Sequence, residues 1–120
     1  MSTAAVRAGI ESLYEDRCTI YELMSVQDPE TRITRQEWIA IVTGQPCRLS
    51  FQTLAAVQDV SPGAGIVQTI KLFLPPEVAI KPGSRVEVVR SGVTYRYISS
   101  GLPAIYPTHQ EVLLTAGGWA

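Results

Sequence analysis

His109, in the stretch YPTHQE, is the single histidine of this 120-residue chain and the residue best suited to acid–base chemistry or metal binding. Only Glu111 lies near it as a carboxylate. A metal site needs several His, Cys or carboxylate ligands at matched spacing, and acyl transfer needs a nucleophile beside the histidine. Neither GxSxG nor a reactive cysteine context is present. The sequence therefore predicts no catalytic residue, no metal, no cofactor and no enzyme activity, with His109 a surface or turn residue bonded to backbone.

The two cysteines, Cys18 and Cys47, are the other reactive side chains, and each lies inside an apolar strand-like run. They have no CxxC spacing, which argues against a redox or zinc motif. We expect buried free thiols, because unpaired cysteine is one of the most frequently buried residue types. A disulfide between neighbouring strands is the alternative.

Two further patterns have the residue types of functional motifs without the required context. Gly63–Gly65 could form part of a phosphate-binding loop, but the next residues begin a strand, whereas a phosphate loop opens a helix. Glu11, Glu15 and Asp16 could form a carboxylate pair, but we expect them on the solvated end of a helix. Neither pattern predicts a catalytic centre.

Composition places the chain among ordinary globular proteins, with 46% hydrophobic and 18% charged residues. A net charge of −1 argues against strong general affinity for nucleic acid or anionic lipid, and the longest basic candidate is Arg32 with Arg35. The N-terminus lacks the basic start and apolar run of a secretory signal, and no segment is long enough to span a bilayer. We expect one domain, residues 1–120, made in the cytosol.

The elements that would position these residues are mostly strands. An N-terminal helical segment is predicted over residues 1–16, with Ser2 or Thr3 as its N-cap. Its apolar residues at helical spacing are Val6, Ile10 and Leu13. Strand patterns follow at 17–25, 34–42, 46–51, 66–74 and 111–116. Two more lie before and after the Ser91-Gly92 turn, the first through Val86 and Val88 and the second through Val93, Tyr95 and Tyr97.

The connections between the strand patterns complete the predicted topology. Residues 43–45 are interpreted as a hairpin turn, residues 52–65 as a long loop, and residues 101–110 as an irregular crossing. Pro82-Gly83 and Ser91-Gly92 are turn dipeptides that bracket the strand carrying Val86 and Val88 inward. Six or seven short strands with little helix predict a small antiparallel β-barrel, which leaves fewer exposed edges than a sandwich.

Several aromatic residues fall on these strands and raise the alternative of base stacking on a barrel face. They are Trp38, Phe51, Phe73, Tyr95 and Tyr97. Lys71, on the predicted strand of Phe73, and Arg96, on that of Tyr95 and Tyr97, are the only cations on those two strands. They are too few for a groove that follows a phosphate backbone. Packing in the core is therefore the favoured interpretation.

The order of segments resembles the head-closure proteins, also called stoppers or head-completion proteins, of long-tailed bacteriophages and prophages. The resemblance extends from Arg17 through most of the chain. The segments that carry it are CTIYE (Cys18–Glu22), EWIAIVTGQPCRLSF (Glu37–Phe51), IKLFLPPEVAIKPGSRVEV (Ile70–Val88), GVTYRY (Gly92–Tyr97) and THQEVLL (Thr108–Leu114).

The resemblance implies a β-barrel subunit of a ring at the head–tail interface of the virion. The ring would dock under the portal and adaptor, seal the DNA-filled capsid and connect it to tail-terminator or tail proteins. Double-stranded DNA would pass through its channel without specific binding, and no membrane would be involved. The long loop would project into that channel. Its residues are Gln52, Thr53, Leu54, Ala55, Ala56, Val57, Gln58, Asp59, Val60, Ser61, Pro62, Gly63, Ala64 and Gly65.

Two alternatives remain open at this stage. A tail-terminator or adaptor of the same neck would share the virion and the ring but bind different partners. A β-barrel module that binds single-stranded nucleic acid would instead show salt-dependent affinity for oligonucleotides.

Overall fold

The fold is a closed barrel with one short helix at its N-terminal end. A computed structural model of the chain describes residues 2–55, 66–117 and 119. The elements in these residues are α1 (Thr3–Glu11), β1 (Asp16–Gln27), β2 (Thr34–Ala55), β3 (Ile66–Leu74), β4 (Arg85–Arg90), β5 (Val93–Ile105) and β6 (Gln110–Ala116). The strands are antiparallel and close in the order β1-β2-β3-β6-β5-β4, which confirms the predicted fold class.

Helix α1 begins where the sequence predicts and ends earlier. The Ser2 hydroxyl accepts a hydrogen bond from the Ala5 N–H, as an N-cap does. At the other end the Ser12 hydroxyl donates to the Gly9 carbonyl, and the chain leaves the helix after Glu11. The predicted boundary at residue 16 is therefore wrong, because Asp16 already belongs to β1.

Strand β2 is continuous for 22 residues, so the predicted hairpin at residues 43–45 is wrong. Gly44 has a φ of 62°, and the pairing of β1 with β2 shifts between Cys18 and Ile20 and again between Ile20 and Tyr21. Each shift inserts an extra residue into β2, which bends a strand without reversing it. Glycine and its polar neighbours thus mark a bulge here, where the sequence pattern had indicated a turn.

Strand β5 is also longer than predicted, because it continues to Ile105 through part of the stretch expected to be irregular. Gly101 has a φ of 73°, and the pairing with β6 shifts between Ser100 and Ala104. The irregularity is therefore a bulge within a strand. Residues 106–109 alone connect β5 to β6.

The core fills the barrel with one face of every strand. The buried apolar side chains are Cys18, Ile20, Cys47, Leu49, Leu72, Leu74, Ile80, Val86, Val88, Tyr97, Val112 and Leu114. Alternate residues of each strand point inward, as the period of two predicts for Val86 and Val88. This interior accounts for the closed shape without a covalent cross-link.

Both cysteines are free and buried within this core, which confirms the favoured interpretation over a disulfide. The thiol hydrogen bond with Cys18, together with burial, raises the pKa of the Cys47 thiol. A protonated, enclosed thiol is a poor nucleophile. The pair therefore acts as small apolar core residues.

One end of the barrel is closed by the segment that follows β3. Gln110 is 1% exposed, and its side-chain amide donates to the Pro75 carbonyl at 2.8 Å and to the Val78 carbonyl at 2.7 Å. Pro75 and Pro76 end β3, since proline has no N–H for the ladder. Their carbonyls turn inward and find a donor in Gln110, which fixes the closing segment to β6.

Within residues 2–55, 66–117 and 119, no helix has the length and apolar character needed to cross a membrane.

Candidate functional site

Strand β2 changes its pairing partner halfway along, and this change produces two arms. Thr34–Cys47 pair with β1, whereas Arg48–Ala55 pair with β3. The pairing of β1 with β4 ends at Tyr21, and the pairing of β3 with β6 ends at Ile70. Two-stranded ribbons therefore continue beyond the barrel at the two ends of β2.

We name these ribbons by their strands. The β1–β2 arm consists of Glu22–Gln27 and Thr34–Ile39, and the β2–β3 arm consists of Gln52–Ala55 and Ile66–Thr69. The two arms share one strand and lie at its opposite ends.

The β2–β3 arm contains the first part of the predicted channel loop. Gln52–Ala55 pair residue by residue with Ile66–Thr69, so these positions are strand, and the predicted loop boundary at residue 52 is wrong. The remaining predicted loop residues, 56–65, lie outside the described residues. Sequence pattern missed the extension because Gln, Thr, Leu and Ala in a row show little alternation, and their partners follow more than ten positions later.

An aromatic contact supports the base of the β2–β3 arm. The Phe51 ring, 40% exposed, lies 5.8 Å from the Tyr95 ring, which in turn stacks on Tyr97. The Arg90 guanidinium lies 5.8 Å from the Phe51 ring centroid. Aromatic and cation–π contacts of this kind hold the root of the arm against the end of the barrel.

At the point where β2 stops pairing with β1, two side chains form hydrogen bonds to the β2 backbone in place of a neighbouring strand. The Leu49 N–H donates to Asp16 Oδ2 at 2.8 Å, and the Leu49 carbonyl accepts from Arg90 Nη1 at 3.1 Å. Asp16 is 5% exposed. Both backbone groups of Leu49 are therefore satisfied although β1 pairs no further than Cys47.

Replacing Asp16 with alanine is expected to lower the free energy of unfolding by about 1–3 kcal/mol, because the buried Leu49 N–H loses its acceptor. Asparagine retains an acceptor oxygen and should cost less. Urea denaturation followed by circular dichroism measures both. The exposed neighbour Glu15→Ala is the control, with an expected change within about 0.5 kcal/mol. Equal effects of D16A and E15A would contradict this account of Leu49.

Charge is nearly absent from the β2–β3 arm and the segment it carries. Between Phe51 and Ile70 the sequence contains one charged residue, Asp59. The nearest described cations are at the base of the arm, where Arg90 is bonded to Leu49 and Lys71 pairs with Glu111 at 3.3 Å. An arm of this composition has no cation with which to bind phosphate.

His109 is held by side chains, not by backbone as the sequence interpretation expected. Its Nδ1 lies 2.9 Å from the Thr108 hydroxyl and its Nε2 lies 3.1 Å from Glu111. The hydrogen bond with His109 lowers the pKa of Glu111, and Lys71 lowers it further. Tyr106 stacks on the imidazole at 4.9 Å. Both ring nitrogens thus have partners that fix the loop between β5 and β6.

The three acidic residues predicted to lie together at the end of the helix, Glu11, Glu15 and Asp16, have separate environments in the structure. Glu11 pairs with Arg7, Glu15 is exposed, and Asp16 is buried in β1, so the placement of Asp16 on a solvated helix end is wrong. Its burial follows from its bond to Leu49. In residues 2–55, 66–117 and 119, no three His, Cys, Asp or Glu residues come together as a metal site would require.

The aromatic residues divide between the interior and the outer face. Tyr97 is buried and Tyr95 packs against the core, as the sequence interpretation held. The prediction of core packing is wrong for Trp38, Phe51 and Phe73, which lie outside the core. The Trp38 ring lies 4.1 Å from the Arg85 guanidinium. The Trp119 ring centroid lies 5.2 Å from the same guanidinium, and its indole N–H donates to the Tyr97 carbonyl. Sequence reasoning missed this cluster, since nothing local relates Trp38 to Trp119.

Helix α1 lies over the outer face of β2 and β3. A cavity of about 320 Å³ separates Ile10, Leu13 and Tyr14 from Phe73 and His109. None of the residues of α1 is buried, and Arg7 bonds Glu77 beyond the barrel end. Burial of its ring raises the pKa of Tyr14 to about 12. The helix is thus attached to the barrel by its C-terminal turn and by one ion pair.

No family model matches this sequence, and a search of curated proteins finds no match. A solved structure with a similar fold is the phage-like element PBSX protein xkdH from Bacillus subtilis. It is 15% identical, the match covers 83% of this chain and 91% of that chain, and the TM-score is 0.49. The similar structure is thus a protein of a phage-like element, and a likeness at this level supports no conclusion about function.

Proposed function

We propose that this chain is a structural protein of a phage particle that forms a ring at the head–tail interface. In this function the ring closes the vertex of the DNA-filled capsid and connects it to the tail. The proposal starts from the sequence resemblance to head-closure proteins, and the closed barrel is the fold which that resemblance implies.

The observation that carries the proposal is the β2–β3 arm. A long strand leaves the barrel, is supported at its root by Phe51, Tyr95 and Arg90, and carries an almost uncharged segment. A closed barrel gains no stability of its own from such an extension. Long connections retained in compact domains usually serve a function. A projecting arm with apolar residues suits contact with the same arm of neighbouring subunits around a common opening.

The charge distribution suits a channel through which DNA passes. DNA phosphates bind Lys and Arg, and each such contact slows release. Residues 51–70 contain neither Lys nor Arg. An arm made of them would therefore border the duplex without holding it. Weak contacts between arms suffice, because the ring holds many copies at high effective concentration.

The partners follow from this position. On one side the ring contacts the portal or its adaptor, and on the other side it contacts the tail terminator or tail proteins. The protein is made in the bacterial cytoplasm and ends in the neck of the virion, with no membrane partner.

The test mixes the purified protein with DNA-filled, tailless heads of the phage or prophage that carries the gene. We expect a ring of added density at the portal vertex in electron micrographs. Heads without DNA, still bearing the portal, serve as the control for dependence on packaging. Density on the end of the tail tube with none at the vertex would contradict head closure and support the terminator alternative. Salt-dependent binding to single-stranded oligonucleotides would support the nucleic-acid module.

A further inference from the structure

The β1–β2 arm has an open edge along β2. Residues 34–47 of β2 pair with β1 on one side, and β3 begins its pairing only at Arg48. In the described part of the chain no strand pairs with the other side of Thr34–Ile39. An open edge presents unpaired N–H and carbonyl groups and is a template for another strand.

The residues along this edge have a self-complementary order. In an antiparallel pairing of two copies centred on Gln36, Arg35 faces Glu37 of the second copy, and Ile33 faces Ile39. Arg35, Glu37 and Ile39 share one face of the strand, since they alternate with Thr34, Gln36 and Trp38, and Ile33 directly precedes the strand. The pairing places opposite charges and apolar side chains across from each other, which are stabilising cross-strand pairs.

The same four side chains are available at the surface. Ile33 is 65% exposed and Ile39 is 36% exposed, while the side chains of Arg35 and Glu37 are 68% and 38% exposed. Within one copy Arg35 and Glu37 form an ion pair of 2.6 Å along the strand. A second copy would extend that pair into an alternating group of four charges.

The charge order also selects the direction of pairing. In a parallel, in-register pair, Arg35 would face Arg35 and Glu37 would face Glu37, and like charges directly opposite are destabilising. The edge thus opposes parallel stacking of many copies and permits one antiparallel partner. A two-fold interface uses the same patch on both subunits, as this edge would.

We propose that two copies of this chain associate in solution through the open edge of β2, antiparallel and centred on Gln36. The interface goes beyond the proposed function and does not rest on it. Its defining contacts are Arg35 with Glu37 and Ile33 with Ile39, each made twice.

Charge reversal tests the interface in the full chain. Sedimentation equilibrium is expected to show a monomer–dimer equilibrium for the parent protein. Glu37→Arg places arginines opposite each other, and Arg35→Glu places glutamates opposite each other, so each variant should raise the dimer Kd by about tenfold. The double variant R35E/E37R restores opposite charges and should return the Kd close to that of the parent.

A mixture of the two single variants supplies the matched control. E37R and R35E are each repelled by themselves but complement each other, so the mixture should form heterodimers in preference to either homodimer. Circular dichroism of each variant confirms that the exposed substitutions leave the barrel folded. A parent protein that is monomeric at every concentration, or association that is unchanged in the single variants, would overturn the proposal.

Discussion

Gln110→Glu is expected to lower the free energy of unfolding by about 3–5 kcal/mol at pH 7, because a buried carboxylate replaces the amide that donates to two carbonyls. Gln110 is almost fully enclosed, and neither the Pro75 nor the Val78 carbonyl offers a proton to a carboxylate. The ionised form of the new side chain would therefore be desolvated and without a partner. Urea denaturation of the variant and the parent protein measures the difference.

The dependence of this loss on pH identifies its cause. Burial beside carbonyls raises the pKa of the new carboxyl above its unfolded value of about 4.3. The stability difference between variant and parent should therefore be smallest below that value, where the carboxyl is protonated in both states, and should grow as pH rises through the folded-state pKa. Gln110→Met is the control, with a loss of about 1–3 kcal/mol that does not depend on pH. Equal, pH-independent losses in both variants would contradict the role given to the amide.

Replacing residues 56–65 with an Asn-Gly turn is expected to leave a folded barrel that binds heads but no longer retains their DNA. Ala55 and Ile66 are directly opposite in the register, and Asn-Gly is suited to join two such positions in a hairpin. The shorter connection should raise the free energy of unfolding by about 1 kcal/mol through its lower closure entropy. If the arm closes the channel, the fraction of filled heads that protect their DNA from nuclease should fall to that of heads without the protein.

A variant of equal length separates the chemistry of the segment from its size. Gly and Ser at every position of 56–65 keep the length and remove the apolar residues that would contact neighbouring subunits. We expect this variant to leak as well, since Gly and Ser offer little apolar surface. Full protection of the DNA by both variants would contradict the channel assignment while leaving the vertex position open to the imaging test.

The fold class could be predicted because short stretches of the sequence are enough to identify the strands and turns that define it. Val86 and Val88 alternate with polar residues, and Ser91-Gly92 is a turn dipeptide between two such strands, so β4 and the first half of β5 follow from the pattern alone. The continuity of β2 was not predictable in the same way. A glycine between polar residues is compatible with a turn or a bulge, and the choice at Gly44 depends on β1, which pairs with both halves.

The candidate site was predictable only in outline. Residues 52–65 stood out as unusual, but the strand character of Gln52–Ala55 comes from pairing with β3. The contacts of Asp16 with Leu49 and of Gln110 with Val78 join residues more than thirty positions apart. Periodicity and spacing in the sequence do not predict such contacts, because the backbone groups that need a partner are known only after the strands have been placed.

The sharing of β2 by both arms has a mechanical consequence. The strand is one covalent rod that would span roughly 70 Å if fully extended, and both ends project from the same rigid barrel. The tips at Thr34 and Ala55 are therefore joined by an uninterrupted backbone as well as through the barrel. Gly44 and the adjacent bulges lie near the midpoint of β2, so the strand bends between the two arms.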